Sequence, residues 1–246
     1  MKLARFIPPD GDPTCPLSGE VRGDQVIKGE QVYPLSEVRL LAPVVPRLIV
    51  CVGVNYRAHA QELSHPLQER PLLFFKPPSA VIGPGQPIRL PDSERVDHEA
   101  EVAVVIGERA RRVKAAEAER FIWGYTCFND ISDRVAQEWE RNWVRAKGFD
   151  TAAPLGPWIA TPDEVSWPLK FELRLNGEIK QRGDTSEMIF SIPQLIEEIT
   201  RRITLEPGDL IATGTPAGVG PLRPGDQVEV ELQGVGCLSN PVERAD

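Results

Sequence analysis

Positive charge is in short supply in this sequence. Its 246 residues carry 36 Asp and Glu against 28 Lys and Arg, a formal charge of -8, and the pI is about 5.1. A nucleic-acid backbone or an anionic membrane surface is therefore a poor partner. Long apolar runs are missing too. None approaches the ~18 residues of a membrane span, and the opening MKLARFIPPDGDP has no apolar core of the signal-peptide kind. The four cysteines, Cys15, Cys51, Cys127 and Cys237, are scattered with no CxxC spacing, which argues against a zinc site or a disulfide framework. Reduced, mostly packed thiols in a cytoplasmic protein are expected.

Proline and glycine, by contrast, are plentiful, at 24 and 20 residues, and they punctuate short segments. Residues 1–46 read as a small β-rich appendage and 47–246 as the main domain. RLIVCVGVN is a buried strand that bends out at Gly53 into YRAHAQEL, which has helical character. KAAEAERFIWG predicts a short helix ending at Gly124, YTCFND is extended, and SDRVAQEWERNW reads as helical. LKFELRLNGEIKQ alternates apolar residues up to Asn176-Gly177, a hairpin signal. Ser191 and Gln194 have capping-box spacing, with Pro193 in the first turn. Two PGD turns precede the strands LIATG and VEVEL. Many short strands with three or four short helices make an α+β, mostly β fold.

The stretch DHEAEVAVVIG carries the first chemical hint. Val102 to Ile106 is an apolar, β-branched run, the mark of a buried strand. Side chains alternate along a strand, so Glu99 and Glu101 share a face with Ala103 and Val105. Two carboxylates there repel each other and resist desolvation. A hard divalent cation would offset both costs; the plain alternative is an exposed strand end. Asp130, after the apolar YTCF, is a candidate third ligand, or else a helix cap. His59 and Glu62 are three apart on one helix face, a spacing that lets a carboxylate hold an imidazole for proton transfer. A surface pair is the alternative. His98 points away from the acids, and His65 gives no signal. Arg134, Gln137 and Lys147 could grip an anion, or coat a solvated helix. TGTPAGVG, from Thr213, offers hydroxyls and backbone N–H groups to a carboxylate. It lacks a P-loop's lysine, and a simple tight loop is the alternative.

Together these stretches resemble the fumarylacetoacetate hydrolase family. VGVNYRAHAQE, FFKP, DHEAEVAVVIG, GYTCFNDISDR, KGFDT, LNGEIKQRGDTSEMIFSI, GDLIATGTPAGVG and PGDQVEVEL follow the family order across most of the chain. The resemblance implies a mixed β-sandwich-like roll, a homodimer and a Mg2+ or Mn2+ site. By motif, Glu99, Glu101 and Asp130 would be the metal ligands and His59 and Glu62 an acid–base pair on a mobile lid. Lys147 would assist catalysis, and Arg134, Gln137, Gly214 and Thr215 would contact substrate. The larger hydrolases of the family have a further acid shortly before the histidine, whereas VCVGVNYRA has none. Water would complete the metal shell, and the departure points to the small, single-domain branch.

In that branch a 2-oxo acid chelates the metal, which stabilises the enolate formed when a neighbouring bond breaks. The first expectation is isomerisation or decarboxylation of a 2-hydroxyhepta-2,4-diene-1,7-dioate-type substrate in aromatic catabolism. Acylpyruvate C–C hydrolysis and oxaloacetate decarboxylation or tautomerisation come next. A metal-dependent nuclease is disfavoured by the net charge and by the lack of a lysine in ExK spacing. A non-catalytic protein with a structural ion would keep the three acids but would not need His59 or Lys147.

Overall fold

The computed structural model describes residues 1–62, 64 and 66–245; His65 lies outside them. Strands dominate, in sheets of twelve, five and three. The path of the large sheet runs from Gln31–Pro34 through Gln25–Lys28, Leu17–Arg22, Lys2–Ile7, Ala153–Ala160, Ile122–Asn129, Ala100–Ile106, Leu210–Ala212 and Ile49–Gly53 to Leu72–Lys76. The five-stranded sheet contains the hairpin of Lys170–Leu175 and Glu178–Asp184, then Gln227–Leu232, Gly236–Arg244 and Ile88–Leu90. It packs on the central strands of the large sheet, and one continuous core fills the space between them. That is the expected α+β, mostly β roll.

Burial explains why the central strands read as unbroken apolar runs. Every residue of Ala100–Ile106 is buried, because the strand has a neighbour on each side and is covered on both faces. Each buried Val or Ile contributes about 1.5–3 kcal/mol, which helps to hold polar side chains at the strand ends. The first strand, Lys2–Ile7, pairs with Ala153–Ala160, so the N-terminal strands extend the large sheet. Ala4, Phe6, Val21 and Val26 form a small core of their own beside it.

Local signals held where turn chemistry was specific. Asn176 and Gly177 both have positive φ, 54° and 82°, as a two-residue hairpin turn requires. Gln194 Oε1 accepts from the Ser191 N–H at 2.8 Å at the start of the helix Ile192–Thr200. Elsewhere the structure corrects the sequence reading. The helix expected to reach Gly124 is a 3-10 segment, Ala115–Phe121, and Ile122–Gly124 joins the next strand. A Cβ at Gly124 would lie 2.3 Å from the Ala160 carbonyl oxygen, so the close strand contact, not a helix end, requires this glycine. The helix expected over SDRVAQEWERNW is only Arg134–Trp139, and a separate short helix, Val144–Gly148, begins just beyond that stretch. Trp143, at φ 54°, turns the chain between them. Only Cys51 and Cys127 are packed, while Cys15 and Cys237 are exposed.

Candidate active site

Strand register brings the three acids together. Ala100 pairs with Asn129 across the two central strands, so Glu99 and Asp130 lie side by side just beyond the paired ends. The Asp130 N–H donates to the Glu99 carbonyl at 2.8 Å, and the Glu99 N–H donates to Asn129 Oδ1 at 2.9 Å. Glu101 is one pleat further in. One carboxylate oxygen from each of Glu99, Glu101 and Asp130 lies within 4.8 Å of the others. All three side chains are buried, which removes the exposed-strand-end reading. The capping reading of Asp130 also fails, since Asp133 caps the following helix by accepting from the Ala136 N–H.

Two lysines and an arginine crowd the acids. Lys147 Nζ donates to Glu99 Oε2 at 2.9 Å, Asp130 Oδ2 at 2.8 Å and Ser132 Oγ at 2.6 Å. Lys76 Nζ lies 2.8 Å from Asp130 Oδ1, yet it donates to the carbonyls of Ile131 and Lys147. Asp130 Oδ1 therefore has an ionic neighbour but no hydrogen bond. Arg134 Nη2 lies 2.6 Å from Glu99 Oε1, its Nε donates to Asp97 Oδ2, and its Nη1 donates to Gln137 Oε1. Neither Arg134 nor Lys147 belongs to a solvated helix face.

Burial and charge pull the acids apart. Glu99 is disfavoured as an anion by burial, but Lys147 and Arg134 hold it well below the usual carboxylate range. Glu101 is pushed well above that range by burial and by Asp130 and Glu99. Burial works against the Lys147 charge, but Asp130 and Glu99 outweigh it and raise the ammonium. Glu101 is thus the carboxylate without a cationic partner, and Asp130 Oδ1 is the oxygen without a hydrogen bond. An all-oxygen donor set that includes a carboxylate with no cationic partner suits a hard divalent cation.

The remaining predicted residues close over this cluster. The loop after Leu210–Ala212 turns at Gly214, with φ 96° and a Cβ position only 2.7 Å from Asn55 Cβ. Only glycine fits there, and its N–H donates to Glu101 Oε2 at 2.8 Å. Thr215 Oγ1 donates to the Ala100 carbonyl and accepts from Gln181 Nε2. His59 Nδ1 is 3.0 Å from Glu62 Oε2 on the short helix Arg57–Glu62, and Glu62 Oε1 accepts from the Gly218 N–H. His59 is buried and Glu62 is not an idle surface residue. A cavity of about 50 Å3 is lined by His59, the three acids, Arg134, Gln137, Lys147 and Thr215, with Phe74 and Trp143 beside them. Gly214 reaches the site through its bond to Glu101.

Several residues at the site went unassigned in the sequence. Lys76, Asp97, Ser132 and Phe74 lie inside the quoted motifs, but the motifs assign no role to them or to Trp143. His98 does point away from the acids, with its Nδ1 3.1 Å from Gln181 Oε1.

The model of the fumarylacetoacetate (FAA) hydrolase C-terminal family matches residues 48–243. The chain belongs to the fumarylacetoacetate hydrolase family. Among relatives in this family, the oxaloacetate tautomerase YisK of Bacillus subtilis is 40% identical over 229 residues, 87% of this chain and 76% of the relative. The structure of a 5-carboxymethyl-2-hydroxymuconate delta-isomerase from Mycobacterium smegmatis is 43% identical, with a TM-score of 0.90 and full coverage of both chains. A maleylpyruvate hydrolase from Sphingobium sp. SYK-6, in complex with manganese(II) and pyruvate, is 31% identical, with a TM-score of 0.84 and full coverage of both chains. Isomerases, tautomerases and hydrolases are thus all represented among the similar enzymes.

Proposed function

We propose that this family member is a Mg2+- or Mn2+-dependent enzyme that stabilises the enolate of a 2-oxo acid. Our first choice of reaction is isomerisation or decarboxylation of a 2-hydroxyhepta-2,4-diene-1,7-dioate-type substrate. One observation carries the reading: three buried carboxylates converge in a cavity that also holds Lys147 and His59, whose Nδ1 is paired with Glu62 behind it. A structural ion would need the acids but not a carboxylate-paired histidine lining the same cavity. Glu99, Glu101 and Asp130 would hold the ion, which supplies a Lewis acid for the keto and carboxylate oxygens of the substrate.

The protein's own groups divide the remaining work. Lys147, fixed by three hydrogen bonds, keeps positive charge beside the developing enolate without having to reorganise. Glu62 occupies His59 Nδ1, which leaves Nε2 to give or take the proton. Gln137, held through Arg134, orients the anion. The charges support an anionic substrate. Asp97, Glu99 and Asp130 pair with the cationic heads of Lys76, Arg95, Arg134 and Lys147, and the unpaired Glu101 makes the acids equal in number to the bases. With this set already balanced, an added divalent charge favours a negative ligand.

A second reading is C–C hydrolysis of an acylpyruvate. The observation behind it is the anchoring of Glu62 at both oxygens, to His59 and to Gly218, which fixes an imidazole able to activate water. Oxaloacetate tautomerisation or decarboxylation uses the same enolate and is a third outcome. The reading extends to a cytoplasmic homodimer, with residues 1–46 as an appendage to the catalytic domain 47–246. A panel of 2-oxo acids with Mg2+, followed by enol absorbance and CO2 release together, tests it. Absorbance change without CO2 supports isomerisation or tautomerisation, CO2 supports decarboxylation, and a split carbon skeleton supports hydrolysis. No turnover of any 2-oxo acid would leave the structural-ion reading in its place.

A further inference from the structure

The TGTPAGVG loop brings three contacts to the site. The Gly214 N–H meets Glu101, Thr215 lines the cavity, and the Gly218 N–H meets Glu62. Behind the loop, outside the cavity, lies Gln181 on the hairpin strand Glu178–Asp184, with only 1% of its surface exposed.

Four hydrogen bonds use the Gln181 carboxamide completely. Its Oε1 accepts from the Ala100 N–H at 3.0 Å and from His98 Nδ1 at 3.1 Å. Its Nε2 donates to Thr215 Oγ1 at 2.8 Å and to the Pro216 carbonyl at 2.9 Å. A backbone N–H can only donate and a carbonyl can only accept, so these partners fix which way the amide faces. His98 must then carry its proton on Nδ1. Thr215 must accept from Gln181 and give its own proton to the Ala100 carbonyl. One edge of the amide thus grips the strand at Ala100, between Glu99 and Glu101, and the other edge grips the loop. The same hairpin strand meets the loop again at Gly218, where a Cβ would lie 2.2 Å from the Lys180 carbonyl oxygen.

We infer that Gln181 is a positioning residue, which holds the loop against the ligand strand and so places Thr215 in the cavity and Gly218 at Glu62. It touches no substrate. A carboxamide suits the position because the strand offers a donor and the loop offers acceptors. Met would fill the space and leave both edges unpaired. A carboxylate would keep the strand edge but set an oxygen against the Pro216 carbonyl. The inference rests on the proposed 2-oxo acid reading for what the loop binds, and on the hydrogen bonds for how the loop is held.

Gln181→Glu cuts the loop edge alone, and Gln181→Met removes both edges. Without ligand, hydrogen exchange over residues 213–219 should quicken at least about tenfold in Gln181→Glu, while Ala100–Ile106 and Lys170–Leu175 keep native protection. Calorimetry on Mg2+-saturated protein should show oxalate affinity reduced at least about tenfold in both variants. Thr215→Val should weaken oxalate by itself and add nothing further in Gln181→Met, since both act through one contact. Loop exchange or oxalate affinity that stays native in both variants would overturn the positioning role. So would exchange quickened equally across the whole chain, losses that multiply in the double variant, or failure of both variants to fold. Failure of oxalate to bind the native protein would remove the 2-oxo acid reading, and the exchange comparison alone would then decide the role of Gln181.

Discussion

Lys76 Nζ and Asp130 Oδ1 stand 2.8 Å apart with both side chains shut off from water. The same ammonium also holds the carbonyls of Ile131 and Lys147. One buried cation therefore fixes a candidate metal ligand and the backbone of the lysine that bridges the acids. Breaking a buried pair on one side typically costs about 3–5 kcal/mol, because the remaining charge is left uncompensated. Lys76→Met should be destabilised by an amount of that order without Mg2+, and Mg2+ should restore more stability to it than to the native protein. Denaturant unfolding with and without Mg2+ measures this, and a variant as stable as the native protein would contradict it.

The helix Arg57–Glu62 should respond to the inner cavity. It has only six residues, of which His59 and Ala60 are buried, and its link to the TGTPAGVG loop is the Glu62–Gly218 bond. Few apolar contacts mean low local stability. Hydrogen exchange over residues 57–62 should slow when Mg2+ and oxalate are added together. Equal exchange in both states would count against a closing lid.

His59→Ala separates the candidate reactions. Loss of a general base usually costs about 10²-fold or more, and C–C hydrolysis should fall by at least that amount. Tautomerisation should fall less, since Lys147 still faces the enolate. Mg2+ affinity should stay within about twofold, because His59 approaches the acids from a separate element. Full activity on every accepted substrate would end the acid–base assignment.

How far the sequence could be read follows from these particular residues. Glu99, Glu101 and Asp130 were legible because each sits at the polar end of an apolar strand, where a charge is out of place. The same period of two also marks Asp97, which shares their face and holds Arg134; that signal was present and went unused. Lys76 ends the strand Leu72–Lys76, and a lysine there reads as solvated until the fold buries it. Phe74 and Trp143 follow no spacing at all, because they reach the cavity only through tertiary packing, and Ser132 enters only as an acceptor for Lys147. The fold class was plain from strand and turn patterns. The helix limits at Phe121 and Trp139 were not, since pairing with the Ala160 strand and the left-handed Trp143 override local helical preference.

The central claim is that the three acids bind one divalent ion, and calorimetric titration of Mg2+ or Mn2+ into native protein and Glu101→Ala tests it most directly. Glu101 is the choice because no cationic side chain is paired with it, so its removal takes away a ligand without stranding a lysine. The account predicts one ion per chain and an affinity reduced at least about tenfold in the variant, equivalent to ~1.4 kcal/mol. Binding of the ion with unchanged affinity in Glu101→Ala, or no binding to the native protein, would contradict it.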